Sequence, residues 1–239
     1  MTLKPYNTEL SKKEEVAQMF NNIAHRYDFL NHFFSLGIDK LWRKKAIRIL
    51  GEIQPKKIID LATGTGDLAF TALRLNPDHI SGVDISQGML DKGKEKAKSR
   101  GVEDKVSFIL GDSENIPFED NTFDGAMVAF GVRNFENLDK GLAEINRVLK
   151  PGGRCIVLEF SKPTLFPVKQ VYWFYFNAIM PTVGKWFSKD SRAYTYLPES
   201  VKAFPDGKAF LDRYEQAGFK SGRQKKLSGG IASLYIGEK

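Results

Sequence analysis

The chain of 239 residues is poor in cysteine and histidine, with one and three respectively, and has no long apolar run. Cys155 alone can close no internal disulfide and build no cysteine-based zinc site, and such scarcity suits a reducing compartment. The most apolar stretch, residues 171–183, is broken by Asn177, Pro181 and Thr182. It falls short of the roughly 20 apolar residues that a membrane span needs. The opening residues 1–13 are polar, so no secretory leader is expected. Acidic residues are in deficit, 29 against 36 Lys and Arg, for a net charge of +7. The surplus sits at the ends. Residues 1–57 carry 11 basic and 6 acidic side chains, residues 58–188 carry 15 and 17, and residues 189–239 carry 10 and 6. Basic flanks attract nucleic acid or an anionic membrane, or simply keep a protein soluble. Apolar mass is not lacking: 42% hydrophobic and 27% charged residues are globular proportions, and the length fits one large domain.

Ser11-Lys12-Lys13-Glu14 reads as a capping box, and Val16, Met19, Phe20 and Ile23 follow at helical spacing. Asp39 is expected to cap a second helix through Leu41, Trp42, Ile47 and Leu50. After Lys57 short apolar runs alternate with helical segments. Strands are expected at 57–62, 80–85, 106–110, 123–130 and 154–160, with helices at 67–75, 86–100 and 138–149 between them. That alternation predicts a parallel sheet covered on both faces. The end departs from it: a helix over 206–217, then two strand-like runs, 219–227 and 231–237, joined by Ser228-Gly229-Gly230. The join is hairpin chemistry and puts one antiparallel strand into a mostly parallel seven-stranded α/β sheet. Between the fifth strand and the last helix, residues 160–200 hold 11 of the 29 aromatics.

Open α/β sheets bind ligands beyond the carboxyl ends of their strands. The first strand is followed there by Thr63-Gly64-Thr65-Gly66, a loop that lets backbone approach a ligand closely. The second ends on Asp84, placed to accept from ribose hydroxyls, and the third is followed by Asp112-Ser113, able to accept from an exocyclic amine. The fourth leads into Phe130-Gly131-Val132-Arg133-Asn134. The glycine loop also fits a dinucleotide fingerprint. Together with the two acids, the LKPGG turn at 149–153 and the terminal hairpin, however, it resembles the Rossmann-like class I S-adenosylmethionine-dependent methyltransferase fold over residues 55–160 and 206–239. The lysine-rich 92–98 stretch reads as a solvated helix face.

Two segments narrow the resemblance. Tyr27-Asp28-Phe29-Leu30-Asn31 with Ser35 and Trp42, and residues 147–153 with Leu158-Glu159-Phe160-Ser161, resemble the two signatures of the menaquinone/ubiquinone biosynthesis C-methyltransferases. FGVRN at 130–134 and DSRAYTYLPES at 190–200 also look like that family, so the likeness spans nearly the whole chain. Leu30, Phe34, Asp39 and Cys155 depart from the family's usual residues. The first, second and fourth read as packing changes, and Asp39 inherits no role from the histidine it replaces.

The resemblance implies methyl transfer from S-adenosylmethionine to a ring carbon of a polyprenylated quinol, with demethylmenaquinol preferred. A ubiquinone-precursor benzoquinol, or another small phenol, is the alternative. A sulfonium methyl is already activated, so no metal is expected; positioning, electrostatics and phenol deprotonation carry the rate. Thr63, Gly64, Gly66, Asp84, Asp112 and Ser113 are the expected cofactor residues. Arg133 is expected to stabilise the developing phenolate, with Tyr27 and Asp28 beside the acceptor; Asp190, Tyr194 and Tyr196 could line its pocket. Glu159 reads as structural. Residues 1–56 are expected to form a helical lid, 57–160 the cofactor core, 161–205 an aromatic cover of the acceptor site, and 206–239 the last helix and hairpin.

No nucleic-acid partner is expected, because FGVRN is not the Asn/Asp-Pro-Pro-aromatic motif of amino-directed nucleic-acid enzymes. A nicotinamide oxidoreductase is disfavoured, since Tyr235 and Lys239, its only catalytic-type pair, sit in a strand. A non-catalytic nucleoside-binding module would bind without turnover. The expected location is cytoplasmic, extending to the inner face of the cytoplasmic membrane through contact with anionic lipid, and the reading leaves room for a homodimer.

Overall fold

The computed structural model describes residues 3–25, 28, 35, 37–175, 178 and 192–239. Helix α1 (Lys12–Ile23) starts at the expected capping box, with the Ser11 hydroxyl accepting from the Glu14 N–H and the Glu14 carboxylate accepting from the Ser11 N–H. Helix α2 (Ile38–Leu50) corrects the expected cap. Its N-cap is Gly37 at φ 73°, a left-handed position, and Asp39 lies inside the first turn. There Asp39 accepts from the Ser35 hydroxyl at 2.6 Å and pairs with Arg43 one turn on. A buried guanidinium requires a carboxylate, and that requirement outweighs the capping preference of an aspartate.

The sheet is built from β1 (Lys57–Leu61), β2 (His79–Asp84), β3 (Val106–Leu110), β4 (Phe123–Ala129), β5 (Leu149–Phe160), β6 (Lys220–Leu227) and β7 (Ala232–Glu238). Their order is β3-β2-β1-β4-β5-β7-β6. Strands β1 to β5 pair in parallel, and β7 enters antiparallel between β5 and β6. The expected hairpin therefore supplies the one reversed strand. The LKPGG turn lies within β5, where the register against β4 shifts between Phe123 and Gly125 and Gly152 takes φ 79°.

Helices α3 (Asp67–Ala72), α4 (Gln87–Arg100) and α5 (Leu138–Val148) connect the parallel strands. After β5 come α6 (Val168–Phe174), α7 (Arg192–Ala203) and α8 (Lys208–Gln216), the last beginning two residues after the expected Asp206. The apolar core divides about the sheet. One cluster joins Trp42 and Ile47 of α2 to Leu68 and Leu90; the other joins Leu142 and Ile145 of α5 to Phe210 and Tyr214 of α8. Central strands covered on both faces explain why runs such as KIID read as continuously apolar instead of alternating. Cys155 lies fully buried on β5, and burial pushes its thiol up to about 12, which leaves it inert. Among the described residues no helix is long and apolar enough to cross a membrane.

Candidate active site

The strand order reverses between β1 and β4, the place where a doubly wound sheet opens a crevice. A cleft open to solvent lies there, under α1. Gly64, Asp84, Asp112 and Ser113 all line it, so four of the six expected cofactor residues come together. Thr63 and Gly66 do not line it; they shape the loop from behind. The Thr63 hydroxyl donates to the Asp60 carboxylate at 2.6 Å. Gly66 sits at φ 85°, and a Cβ there would stand 2.6 Å from the Phe108 ring. Both the backbone conformation and the packing exclude a side chain at that position.

Asp84 is the keystone of the cleft floor. One carboxylate oxygen accepts from the Gly64 N–H at 2.8 Å and the other from the Ser86 N–H at 2.8 Å. Burial raises its pKa, opposed by the backbone N–H groups of Ser86, Gly64 and Ile85. Each oxygen keeps a lone pair for a further donor such as a ribose hydroxyl. Asp112 faces Lys13 of α1, whose ammonium lies 2.6 Å away. Burial pushes the Asp112 carboxyl up, but the Lys13 hydrogen bond and the Glu114 N–H together hold it below its usual range.

Helix α1 is held over the cleft at three further points. The Lys12 N–H donates to Glu136, the Lys12 ammonium donates to the Phe135 carbonyl at 2.7 Å, and Asn21 accepts from the Ser86 hydroxyl and the Gly88 N–H. Burial lowers Lys12 to about 8, against the attraction of Glu114 and Glu136.

Asp28 does not stand free beside the acceptor. Its carboxylate accepts from the Thr65 hydroxyl at 2.5 Å and pairs with Lys96 at 2.6 Å, and Lys96 also reaches Asp67 at 2.9 Å. Lys96 therefore departs from the solvated face expected of residues 92–98, because its ammonium ties the N-terminal segment to the glycine loop. Tyr27 and Asp190 lie outside the described residues, as does the side chain of Tyr194.

Arg133 follows β4 in a short 3-10 turn, and its side chain is buried. Its guanidinium donates to Glu159 Oε1 at 2.8 Å and to the Phe130 carbonyl. Glu159, at the end of β5, is wholly buried; burial raises its pKa, with Arg133 the chief opposing influence. Glu159 reads as structural in the sequence, yet an acid inside the apolar run CIVLEF signals that a buried cation must face it. Arg133 Nε and the Tyr196 hydroxyl are both buried with no hydrogen-bond partner among the described residues. Tyr196 lies within the electrostatic reach of Arg133 and Glu159, and burial raises its phenol to about 12.

The cleft fits S-adenosylmethionine. Four carboxylates, Asp84, Asp112, Glu114 and Glu136, line it against one cation, Lys13, which suits a ligand carrying a sulfonium and an ammonium. The buried Asn134 Oδ1, on a residue of the lining, has no hydrogen-bond partner among the described residues and can accept from the ligand. Val16, Phe20, Met89 and Phe130 supply apolar walls for a flat base.

Fold and cleft together define a class I methyltransferase that uses S-adenosylmethionine. A solved S-adenosylmethionine-dependent methyltransferase from Thermotoga maritima shares the fold with a TM-score of 0.63 at 21% identity, over 93% of this chain and 99% of its own. The ubiE/COQ5 methyltransferase family model matches residues 8–239, and the chain belongs to that family. A demethylmenaquinone methyltransferase of Bacteroides fragilis is 48% identical over 238 residues, 99% of this chain and 97% of that protein. A ubiquinone/menaquinone biosynthesis C-methyltransferase of Geobacter is 43% identical over 95% of this chain and 97% of its own. The protein is thus an enzyme, a C-methyltransferase of quinone biosynthesis.

Proposed function

We propose that the enzyme methylates a ring carbon of demethylmenaquinol, held in reduced form with its prenyl tail directed away from the cofactor cleft. The observation that carries this reading is the pair of buried donors, Arg133 Nε–H and the Tyr196 hydroxyl, that have no hydrogen-bond partner among the described residues: Arg133 adjoins the lining residue Asn134, and Tyr196 clusters with Val16 and Met89 of the acid-lined cleft. Two donors, one of them on a guanidinium, suit a phenol oxygen that gains negative charge as its ring attacks an electrophilic methyl. Bound S-adenosylmethionine supplies that activated methyl. The chain's own residues then have three tasks. Asp84, Asp112 and Asn134 fix the nucleoside. Arg133 stabilises the phenolate. Helix α1 excludes water while Asp28, through Thr65 and Lys96, holds the glycine loop closed. Residues 1–56 act in this reading as the lid, 161–205 as the cover of the acceptor side, and 206–239 as the closing helix and hairpin. The acceptor lives in a bilayer, so the enzyme works at the inner face of the cytoplasmic membrane.

Quinone profiling by mass spectrometry in cells lacking the enzyme tests the substrate. Demethylmenaquinone is expected to accumulate; a build-up of a demethylated benzoquinone precursor instead would move the assignment to ubiquinone synthesis.

Two substitutions test the cofactor assignments. Asp84→Asn turns one acceptor into a donor that faces a backbone N–H, so the dissociation constant of S-adenosylmethionine is expected to rise roughly 10- to 100-fold. Calorimetry giving an unchanged affinity would remove Asp84 from the site. Lys13→Met breaks the ion pair to Asp112 across the mouth. A partly exposed pair of this kind is worth about 1 kcal/mol or less. The cofactor should leave several-fold faster in stopped flow, with the fold's melting temperature nearly unchanged.

A further inference from the structure

From the outer surface of α6 we infer a docking face for an anionic lipid bilayer. This rests on the quinol reading above for its biological purpose but not for its physics. Leu165, Phe166, Val171 and Phe174 are all strongly exposed, Phe166 at 82%. They make up half of the eight large hydrophobic residues exposed among the described residues, and all four fall within ten consecutive positions. Val171 and Phe174 are three residues apart on α6 and so share a face, and Leu165 and Phe166 sit at the approach to that helix. Single exposed hydrophobics are ordinary, but a strip of this kind marks an interaction surface.

The opposite side of α6 is what makes the strip informative. Tyr172 is buried there, packed in a cluster with Val201 and against Phe160 at the end of β5. Its phenol lies within the electrostatic reach of Arg133 and Glu159. One short helix therefore roofs the acceptor side with one face and shows apolar side chains to the outside with the other. An acceptor whose ring must reach Arg133 while its tail stays in lipid requires that arrangement.

Charge selects the occupant. Lys169 is exposed on α6 itself, and α6 carries no Asp or Glu. The hairpin turn touches the start of the helix, since a Cβ at Gly229 would stand 3.2 Å from the Val168 side chain. That contact brings the turn end of the edge strand β6 close, where Lys225 and Lys226 are exposed. Apolar side chains beside lysines on an exposed face match an anionic interface: the rings enter the headgroup region and each basic residue adds electrostatic attraction. A second copy of the chain would bring the same basic edge against itself, which like-charge repulsion opposes.

The test uses flotation of the full chain with vesicles of phosphatidylcholine, alone or mixed with phosphatidylglycerol. Binding is expected to the mixed vesicles only, fading with salt because screening acts over about 8 Å at physiological ionic strength. Phe166→Glu/Phe174→Glu should lower that partitioning roughly tenfold or more, and Lys225→Gln/Lys226→Gln should lower it by a smaller factor. Neither pair lines the cofactor cleft, so S-adenosylmethionine affinity checks that each variant is folded. Equal flotation of wild type and the Phe pair overturns the proposal. So does a dimer, seen by light scattering, that the Phe pair dissolves, because the strip then belongs to a second copy. Methylation of a short-tailed, water-soluble demethylmenaquinol separates the two levels: a wild type that methylates it without binding vesicles loses the docking face and keeps the function. One that binds vesicles as expected but methylates no quinol keeps the face and loses the function.

Discussion

Replacing Glu159 with alanine should cost the enzyme about 3–5 kcal/mol of stability, because it leaves the Arg133 guanidinium buried without a counter-charge. For a chain of this size that corresponds to a melting temperature lower by roughly 10 °C. The Phe160 N–H, which donates to Glu159 at 2.9 Å, loses its acceptor as well. The ion pair itself is a poor source of stability. Burial raises the Glu159 pKa in spite of Arg133, which says that desolvation outweighs the attraction. The sign follows: a carboxyl raised above its unfolded value supports folding fully below that unfolded value, and its contribution declines as pH climbs through the raised one. What the pair provides is aim. Glu159 and the Phe130 carbonyl hold one end of the guanidinium and leave Nε without a hydrogen-bond partner among the described residues, available to the phenolate of the proposed reaction. The double apolar variant Arg133→Met/Glu159→Leu should therefore recover much of the stability lost in Glu159→Ala and none of the activity. Glu159→Gln should stay folded and lose kcat at least about tenfold, with S-adenosylmethionine affinity unchanged. Urea melts and steady-state rates on the three variants check this; a double variant as active as wild type would remove the pair from the reaction.

The different legibility of Glu159 and Asp84 in the sequence has a physical cause. Strand periods, turn glycines and the alternation of elements are local, and they identified all seven strands, the capping box at Ser11 and the acid at the end of β2, although β5 begins at Leu149 and takes in the turn expected before residue 154. Asp84, Asp112 and Gly64 were readable because a doubly wound sheet brings the ends of neighbouring strands to one edge whatever the loops contain. Partnerships across the fold were not readable. Arg133 and Glu159 are 26 residues apart, and Asp28, Thr65 and Lys96 come from three separate elements. Lys96 looked like any other lysine in its run, because nothing in helical spacing says which member of a solvated face borders a loop. Asp39 misled in the other direction: a good capping residue lay at a helix start, but the left-handed turn at Gly37 began the helix two residues earlier and left the aspartate to Arg43. Local rules specify the frame, and buried charge decides which side chains meet inside it.

Asp60 should make the stability of the enzyme fall as pH rises from about 4 to about 7. It is the penultimate residue of β1, almost fully buried, and its side chain accepts from Thr63 of the glycine loop. One carboxylate oxygen accepts from Thr63 at 2.6 Å; the other is buried with no hydrogen-bond partner among the described residues. Burial raises its pKa to about 7, against the Thr63 hydrogen bond, the nearby Ala69 N–H and the more distant charge of Arg43. In the unfolded chain an aspartate releases its proton near pH 4, so across this window the folded state holds a proton that the unfolded state has lost. Stability from this group is complete below that window and declines by about 1.4 kcal/mol per pH unit within it. Asp60→Asn removes the titration. Its stability relative to wild type should improve steadily in urea melts between about pH 4 and 7, whatever offset the amide adds through its altered hydrogen bonds. A relative stability that does not move with pH would show that Asp60 stays ionised throughout. The same proton bears on the cofactor. Asp60 lies close enough to Asp84, on the cleft floor, for their charges to interact. A cationic ligand bound over Asp84 favours the ionised form of Asp60, so binding should release a proton near pH 7 and affinity should rise with pH there. Calorimetry in buffers of different ionisation enthalpy measures that proton directly, and in Asp60→Asn it should disappear.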